Sequence, residues 1–154
     1  MKIINKKITA MNIDDVAQEI KVKSIGPKLN FIWLGRQSYE IVFLLQKKIH
    51  NMVKNNYMND VVLLLEHSHV YTFGKNSDQN NLLLRYPENI DIATSDRGGE
   101  VTYHGPGQLV GYPIINLKNH KKSISWYIRS LEQVIIDTLK QLFLESKQLE
   151  GLTG

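Results

Sequence analysis

The side chains best suited to chemistry lie in one segment, residues 97–108, which reads Arg-Gly-Gly-Glu-Val-Thr-Tyr-His-Gly-Pro-Gly-Gln. Arg97 carries a fork of donors that suits a phosphate or a carboxylate, or that can anchor the loop itself. Gly98 and Gly99 remove two side chains in succession, so a ligand or another backbone segment can approach closely. A plain buried strand would instead be rich in valine, isoleucine and leucine. The segment therefore predicts a ligand-binding site.

The residues that follow the two glycines suit a short strand and a sharp turn. Alternation along a strand places Thr102 and His104 together on one face and Tyr103 on the other. The Gly-Pro-Gly run at 105–107 predicts the turn, and Gln108 offers an amide just beyond it. The glycine spacing matches neither a phosphate-binding loop closed by Gly-Lys-Ser/Thr nor a dinucleotide fingerprint. Spacing alone leaves two interpretations open: a ligand site, or a glycine-rich hairpin whose histidine ties down a loop.

A second group with chemical potential is the pair His67 and His69. If both lie on one strand, residues two apart face the same side, and two histidines in that spacing can begin a metal site. No third ligand stands nearby in the sequence. We therefore interpret both histidines as polar residues at a strand end, and we expect no metal or cofactor.

Composition limits the classes of protein that remain. The chain has 154 residues with 42% hydrophobic content, which predicts one domain, residues 1–154, whose residues 1–30 form a weakly patterned leader or an edge strand. It has no cysteine, which excludes disulfides, zinc–thiolate sites and a cysteine nucleophile from these residues. Apolar runs are too short to span a membrane, and no secretory signal is visible, so we expect a cytoplasmic protein without a membrane partner.

Net charge is +4, and the densest basic run is Lys118–Lys122. A solvated loop is the favoured interpretation of that run, and docking of an acidic partner is the alternative. Nucleic acid is not expected as a partner, because aromatic residues are not interleaved with the basic ones.

The elements that must position these residues follow from hydrophobic periodicity. Apolar positions recur at helical spacing between Tyr39 and Asn55 and predict a core-facing helix there. These positions are Ile41, Phe43, Leu44, Leu45, Ile49, Met52 and Val53. Further helices are predicted over Met11–Ile20 and Trp126–Ser146, and Lys75–Leu84 is predicted to be a loop that passes into a short helix. Strands are predicted over Phe31–Gly35, Val61–His67 and Ile90–Ala93, within 68–74 and at 101–104. A turn is predicted at Pro87–Asn89. This order predicts an α+β fold with a mixed β-sheet flanked by helices.

Taken together, these motifs resemble the signature of the lipoyl (octanoyl) transferase family. The matching residues are Arg97-Gly98-Gly99, Thr102-Tyr103-His104, Gly105-Pro106-Gly107-Gln108, Tyr112-Pro113, Leu65-Glu66-His67 and Tyr71-Thr72-Phe73-Gly74. The resemblance covers roughly residues 30–154. It implies the fold of the lipoate and biotin protein ligase catalytic domains, acting without ATP.

The resemblance also implies an activity, partners and a binding site. Family members transfer an octanoyl group from octanoyl-acyl carrier protein to a lysine of the lipoyl domains of 2-oxoacid dehydrogenases and of the glycine cleavage H protein. The implied substrate-binding residues are Arg97, Gly98, Gly99, Glu100, Val101, Thr102, Tyr103 and His104. An acidic carrier protein would complement a mildly basic surface.

The sequence departs from the family in one respect. The family's nucleophile is a cysteine assisted by a lysine, both in its C-terminal part, and neither is found here, so no catalytic residue is carried over. We therefore expect a fragment that is truncated at the C-terminus. Two alternatives remain open: a non-catalytic module that binds the acyl carrier or a lipoyl domain and needs a separate C-terminal half, and an ATP-dependent enzyme resembling lipoate ligase.

Overall fold

A computed structural model describes residues 1–24, 26, 29–78 and 90–151. The helices are α1 (Ile13–Lys23), α2 (Tyr39–Lys54) and α3 (Ile124–Gln141), and the strands are β1 (Lys2–Ile3), β2 (Asn30–Gln37), β3 (Val61–His67), β4 (Val70–Phe73), β5 (Asp91–Thr94), β6 (Thr102–His104) and β7 (Val110–Ile114). A short 3-10 helix covers Leu117–Asn119. The chain divides into two compact units, Met1–Ile115 and Asn116–Gly154. The predicted α+β class with mixed sheets and helices is confirmed.

The larger sheet of the first unit has the strand order β1-β2-β3-β7. β1 and β2 run parallel to their neighbours, whereas β7 is antiparallel to β3, with Leu63 opposite Tyr112 and Leu65 opposite Val110. β3 lies inside the sheet because its run of valines and leucines is buried almost throughout. The paired residues of β7 begin at Val110, opposite Leu65, so β3 continues two residues beyond them to His67.

Helix α2 packs its apolar face on this sheet. Its buried residues are Val42, Leu45, Ile49 and Val53, a spacing that places them on one face of the helix. The expected core face is confirmed for most of its positions: Leu45, Ile49 and Val53 are buried, and Ile41 and Met52 pack against the core while partly buried. Leu44, however, is 44% exposed, and Val42, which is not among the predicted positions, is buried.

The N-terminal residues contribute to the same core. β1 forms the edge of the larger sheet, as the edge-strand interpretation of residues 1–30 predicted. Ile4, Val16 and Ile20 are almost fully buried in the hydrophobic core. Weak patterning in this region therefore reflects short elements and not an absence of packing.

The smaller sheet has the strand order β5-β4-β6. β5 is parallel and β6 antiparallel to β4, and the register places Thr102 opposite Thr72 and His104 opposite Val70. This sheet holds the predicted binding segment in place.

Several element bounds differ from the prediction. Helix α3 begins at Ile124, capped by the Ser123 hydroxyl, which accepts a hydrogen bond from the Trp126 N–H at 3.2 Å. It ends at Gln141 and not at Ser146, because Phe143 adopts a left-handed conformation with φ 60°. The predicted turn at Pro87–Asn89 and the end of the predicted Lys75–Leu84 element lie outside the described residues.

Over the residues that the structure describes, no helix combines the length and apolar character needed to cross a membrane.

Candidate functional site

A cavity of about 280 Å³ lies within the first unit, between α2, β7 and the predicted binding segment. The described residues that line it are Tyr39, Phe43, Gln46, Ser95, Asp96, Arg97, Thr102, His104, Val110 and Tyr112. We call this space the cleft. Its walls are mostly apolar, with polar groups contributed mainly by the residues of the 95–104 region.

Two regular elements explain why the cleft forms there. Tyr39, Phe43 and Gln46 are spaced four and three residues apart, so one side of α2 presents all three. Val110 and Tyr112 are two residues apart on β7 and therefore share one face of that strand.

Of the eight predicted substrate-binding residues, three line the cleft: Arg97, Thr102 and His104. The predicted alternation along β6 is confirmed, because Thr102 and His104 face the cleft together while Tyr103 is directed elsewhere. The remaining five do not line the cleft, although they belong to the same loop and strand: Gly98, Gly99, Glu100, Val101 and Tyr103.

His67 and His69 do not lie on one strand, so the condition for a shared face is not met, and both stand at strand ends as interpreted. β3 ends at His67, and His69 lies in the connection before β4. His67 is fully buried beside α2, whereas the Nδ1 atom of His69 is hydrogen-bonded to the Tyr103 hydroxyl at 2.5 Å. Within the described part of the chain, no three His, Asp or Glu side chains are grouped as a metal site would require.

Four aromatic rings from four elements meet beside the cleft, and we call them the ring cluster: Tyr39, His67, His104 and Tyr112. Tyr39 stacks on His104 with centroids 6.4 Å apart and an angle of 8°. The His67 ring lies 5.3 Å from Tyr39, 5.8 Å from His104 and 5.9 Å from Tyr112. Such contacts hold the rings in defined orientations.

Hydrogen bonds settle the tautomer of His67. Its Nδ1 lies 3.2 Å from the Gln37 carbonyl oxygen, which can only accept, so Nδ1 carries the proton and donates. Its Nε2 therefore accepts the hydrogen bond from the Tyr112 hydroxyl at 2.8 Å. The Tyr112 proton points toward His67, so the hydroxyl can only act as an acceptor toward the cleft.

Burial shifts the pKa values of both His67 and Tyr112. It lowers the pKa of His67 below its ordinary value, a nearby His104 charge lowers it further, and the Gln37 hydrogen bond opposes the shift. Burial raises the pKa of Tyr112 above its ordinary value, and repulsion from Tyr39 acts in the same direction. At neutral pH this pair is therefore uncharged, with a fixed hydrogen-bond direction.

Stability is expected to depend on pH through His67. The unfolded chain has the ordinary pKa of 6.5 and the folded protein a lower one, so below pH 6.5 the unfolded state binds more protons. The free energy of unfolding should therefore decrease as the pH falls from 6.5 to the folded pKa, by at most about 1.4 kcal/mol per pH unit from this group. Urea unfolding of the wild type and of His67→Gln, measured between about pH 5 and 8, tests this: the variant should show a shallower slope.

His50 supplies the matched control, because it is an exposed histidine on α2. His50→Gln should retain the wild-type slope. Equal slopes for the wild type and His67→Gln would contradict a buried neutral imidazole at position 67.

Arg97 is engaged by the protein itself. Its Nη2 donates to the Thr72 carbonyl at 2.6 Å, the Thr72 hydroxyl at 3.0 Å and the Glu100 carbonyl at 2.7 Å. Its Nη1 donates to the Gly98 carbonyl at 3.0 Å. The guanidinium thus ties the glycine loop to β4, which is the anchoring role that the sequence left open.

The predicted turn at 105–107 is confirmed. The Gln108 N–H donates to the Gly105 carbonyl at 3.1 Å, and Gly107 has φ 87°, the left-handed conformation that glycine adopts readily. The Glu66 carboxylate accepts from the Gly107 N–H at 3.2 Å, and this bond, followed by the one from Arg36, lowers the pKa of Glu66.

The turn also orients His104. The Gln108 Oε1 accepts a hydrogen bond from the His104 Nδ1 at 2.7 Å, so Nδ1 carries a proton. In the neutral ring, Nε2 is then an acceptor. The cleft thus combines an apolar interior with oriented polar groups, an arrangement typical of a small-molecule binding site.

Comparison with known proteins identifies the class. Residues 38–153 match the family model of the lipoyl protein ligase A/B catalytic domain. An octanoyltransferase of Prochlorococcus marinus (strain NATL2A) is 48% identical over 107 residues, which cover 68% of this chain and 44% of the relative. An octanoyltransferase of Solibacter usitatus is 43% identical over 125 residues, 79% of this chain and 57% of the relative. A chloroplastic octanoyltransferase of Arabidopsis thaliana is 45% identical over 115 residues, 72% of this chain and 40% of the relative.

The chain therefore belongs to the lipoyl protein ligase A/B catalytic-domain family. Within it, the chain is similar to octanoyltransferases, in agreement with the resemblance of its signature. It spans about half the length of the curated relatives it matches.

Several residues of the site were not recognised from the sequence as functional. Tyr39 and Phe43 were interpreted as the start and the core face of a helix, and His67 as a strand-end residue. Tyr112 stood only within the family signature. A hint was available in the wide apolar stripe of α2, which exceeds what one buried face requires.

Proposed function

We propose that the cleft binds the octanoyl chain of an acyl thioester as part of an octanoyltransferase of protein lipoylation. The donor is octanoyl-acyl carrier protein, and the acceptor is a lysine of the lipoyl domains of 2-oxoacid dehydrogenases or of the glycine cleavage H protein, in the cytoplasm. Overall, an amide C–N bond forms on the lysine and the thioester C–S bond breaks, releasing the carrier thiol. The octanoyltransferase relatives favour this chemistry over an ATP-dependent ligation.

The observation that carries the proposal is the mostly apolar cleft bounded by signature residues. Its volume of about 280 Å³ lies near the lower end of small-molecule pockets, which suits a flexible chain of several methylenes. Burying those methylenes at about 0.8 kcal/mol each contributes about 5 kcal/mol of gross binding free energy. In this proposal His104 and Thr102, which supply polar groups to the cleft, contact the thioester end.

The chain's own residues supply binding and orientation in this proposal. The ring cluster holds His104 and Tyr112 in place, and Arg97 holds the glycine loop. The nucleophile that the family resemblance implies is a cysteine, and these 154 residues contain none. The nucleophilic role is therefore assigned to none of these residues.

Octanoyl binding can be measured directly with an octanoyl-pantetheine thioester by isothermal titration calorimetry. A Val110→Asp variant introduces a carboxylate into the apolar wall and is expected to weaken binding by at least about tenfold, since burying an unpaired charge is unfavourable. Leu109→Asp is the matched control, because Leu109 is 67% exposed and does not line the cleft.

The control should bind the thioester as the wild type does. Absence of octanoyl binding by the folded wild-type chain, or equal binding by the wild type and Val110→Asp, would contradict the proposal. Circular dichroism of each variant establishes that the fold is retained.

A further inference from the structure

A second cavity of about 440 Å³ lies directly beside the cleft in the same compact unit. Its lining residues are Ser38, Tyr39, Glu40, Phe43, Val70, Asp91, Ile92, Ala93 and Thr94. Among the residues that the structure describes, Tyr39 and Phe43 alone belong to the walls of both cavities. Their stacked rings, with centroids 6.0 Å apart and an angle of 13°, therefore form the partition between the two spaces.

Consecutive residues of the backbone also line the two cavities. Thr94, the last residue of β5, lines the second cavity, and the following Ser95 lines the cleft. Shortening one of the two rings would thus connect one space to the other without moving an element of the fold.

The two rings are held differently. Tyr39 stacks on His104 and contacts His67, so it belongs to the ring cluster. Phe43 is contacted by Tyr39 on one side and by the Lys47 ammonium, 4.1 Å from its ring centre, and it is absent from the hydrophobic core. Phe43 is therefore the part of the partition that can be changed with the least effect on folding.

We propose that Phe43 is a specificity-determining residue that limits the length of the acyl chain the cleft accepts. This inference rests on the proposed function, since it concerns the same cleft. The Phe43 ring ends the apolar space available to an octanoyl chain, and a longer chain requires the space behind the ring. In that space Ile92 and Ala93 offer apolar contacts to additional methylenes, beside the polar residues Ser38, Glu40, Asp91 and Thr94.

The test compares octanoyl- and dodecanoyl-pantetheine thioesters by calorimetry on the wild type and on Phe43→Ala. The wild type should prefer the octanoyl compound. Phe43→Ala should shift the ratio of the two dissociation constants toward the dodecanoyl compound by at least about tenfold, because each methylene that becomes buried strengthens binding about fourfold. Alanine is the best helix former, so α2 should persist.

Leu44→Ala is the matched control, because Leu44 is exposed on the same helix and lines neither cavity. It should keep the wild-type ratio. Phe43→Leu provides a second, milder opening, expected to give an intermediate ratio and to remain available if the alanine variant does not fold.

The outcomes separate this inference from the proposed function. If the wild type binds octanoyl-pantetheine and the Phe43 variants keep its chain-length ratio, the role of Phe43 is overturned while the proposed function stands. If the folded wild type binds neither thioester, the proposed function fails and this inference fails with it. A shift in the ratio confined to the Phe43 variants supports both.

Discussion

Replacement of Arg97 by alanine is expected to destabilise the protein by about 2–3 kcal/mol and to weaken octanoyl-pantetheine binding by more than about tenfold. The guanidinium donates to the carbonyls of Thr72, Gly98 and Glu100, so its removal leaves the glycine loop without the bonds that fasten it to β4. Because Ser95, Asp96 and Arg97, which directly precede this loop, line the cleft, loss of the loop's position removes binding as well as stability. Urea unfolding and calorimetry measure the two effects separately.

Arg97→Lys distinguishes this anchoring role from direct recognition of a charged group. A lysine keeps the positive charge but cannot reproduce a planar fork that reaches several carbonyls. If Arg97 anchors the loop, lysine should restore little of the lost stability. If lysine restores wild-type stability and binding, charge is what the position requires, and the anchoring role is wrong.

The fold was largely accessible from hydrophobic periodicity, because its central elements have strong patterns. β3 is a continuous apolar run, and its predicted bounds, Val61–His67, agree with the structure. Helix α2 begins at Tyr39 and ends at Lys54, one residue from the predicted end. Element ends set by backbone conformation were less accessible, since the left-handed Phe143 that follows α3 has no signal comparable to a glycine.

The candidate site was accessible only where its residues are neighbours in sequence. Alternation along one strand was enough to place Thr102 and His104 on the same face. The ring cluster depends instead on tertiary packing: α2 brings Tyr39, β3 ends at His67, and the antiparallel register of β7 brings Tyr112. No local pattern contains that information, so a buried histidine essential to the geometry looked like an ordinary polar residue at a strand end.

Phe43 shows the same limit in a helix. Of the seven apolar positions of α2 assigned to one core face, five pack in or against the core, whereas Phe43 lines the cleft and Leu44 is exposed. A helix that also borders a cavity needs a second apolar side, and the two sides merge into a single stripe in the sequence. Surplus width in an apolar stripe therefore indicates a second surface to be covered, here the wall of the cleft.

Gly74→Ala is expected to be among the most damaging single-methyl changes in the protein. Gly74 is buried at the end of β4, and a Cβ there would overlap the backbone oxygen of Gly99 and lie 3.0 Å from that of Gly98. Backbone atoms cannot rotate away as a flexible side chain can, so the loop must shift, at an expected cost of about 1–3 kcal/mol. Thermal unfolding and octanoyl-pantetheine binding should both reveal the displacement.

Gly98→Ala is the matched comparison for stability. It adds the same methyl group to a glycine whose backbone oxygen faces Gly74. A Cβ at Gly98 would have no atom within 4 Å, and Gly98 does not adopt a left-handed conformation. Its midpoint of thermal unfolding should therefore remain near that of the wild type, while Gly74→Ala lowers it. Equal midpoints for the two variants would contradict the close packing of β4 against the glycine loop. Arg97 and Gly74 secure that loop through different contacts. If only one of the variants Arg97→Ala and Gly74→Ala loses octanoyl-pantetheine binding, the contact changed in that variant is the one that positions the cleft wall.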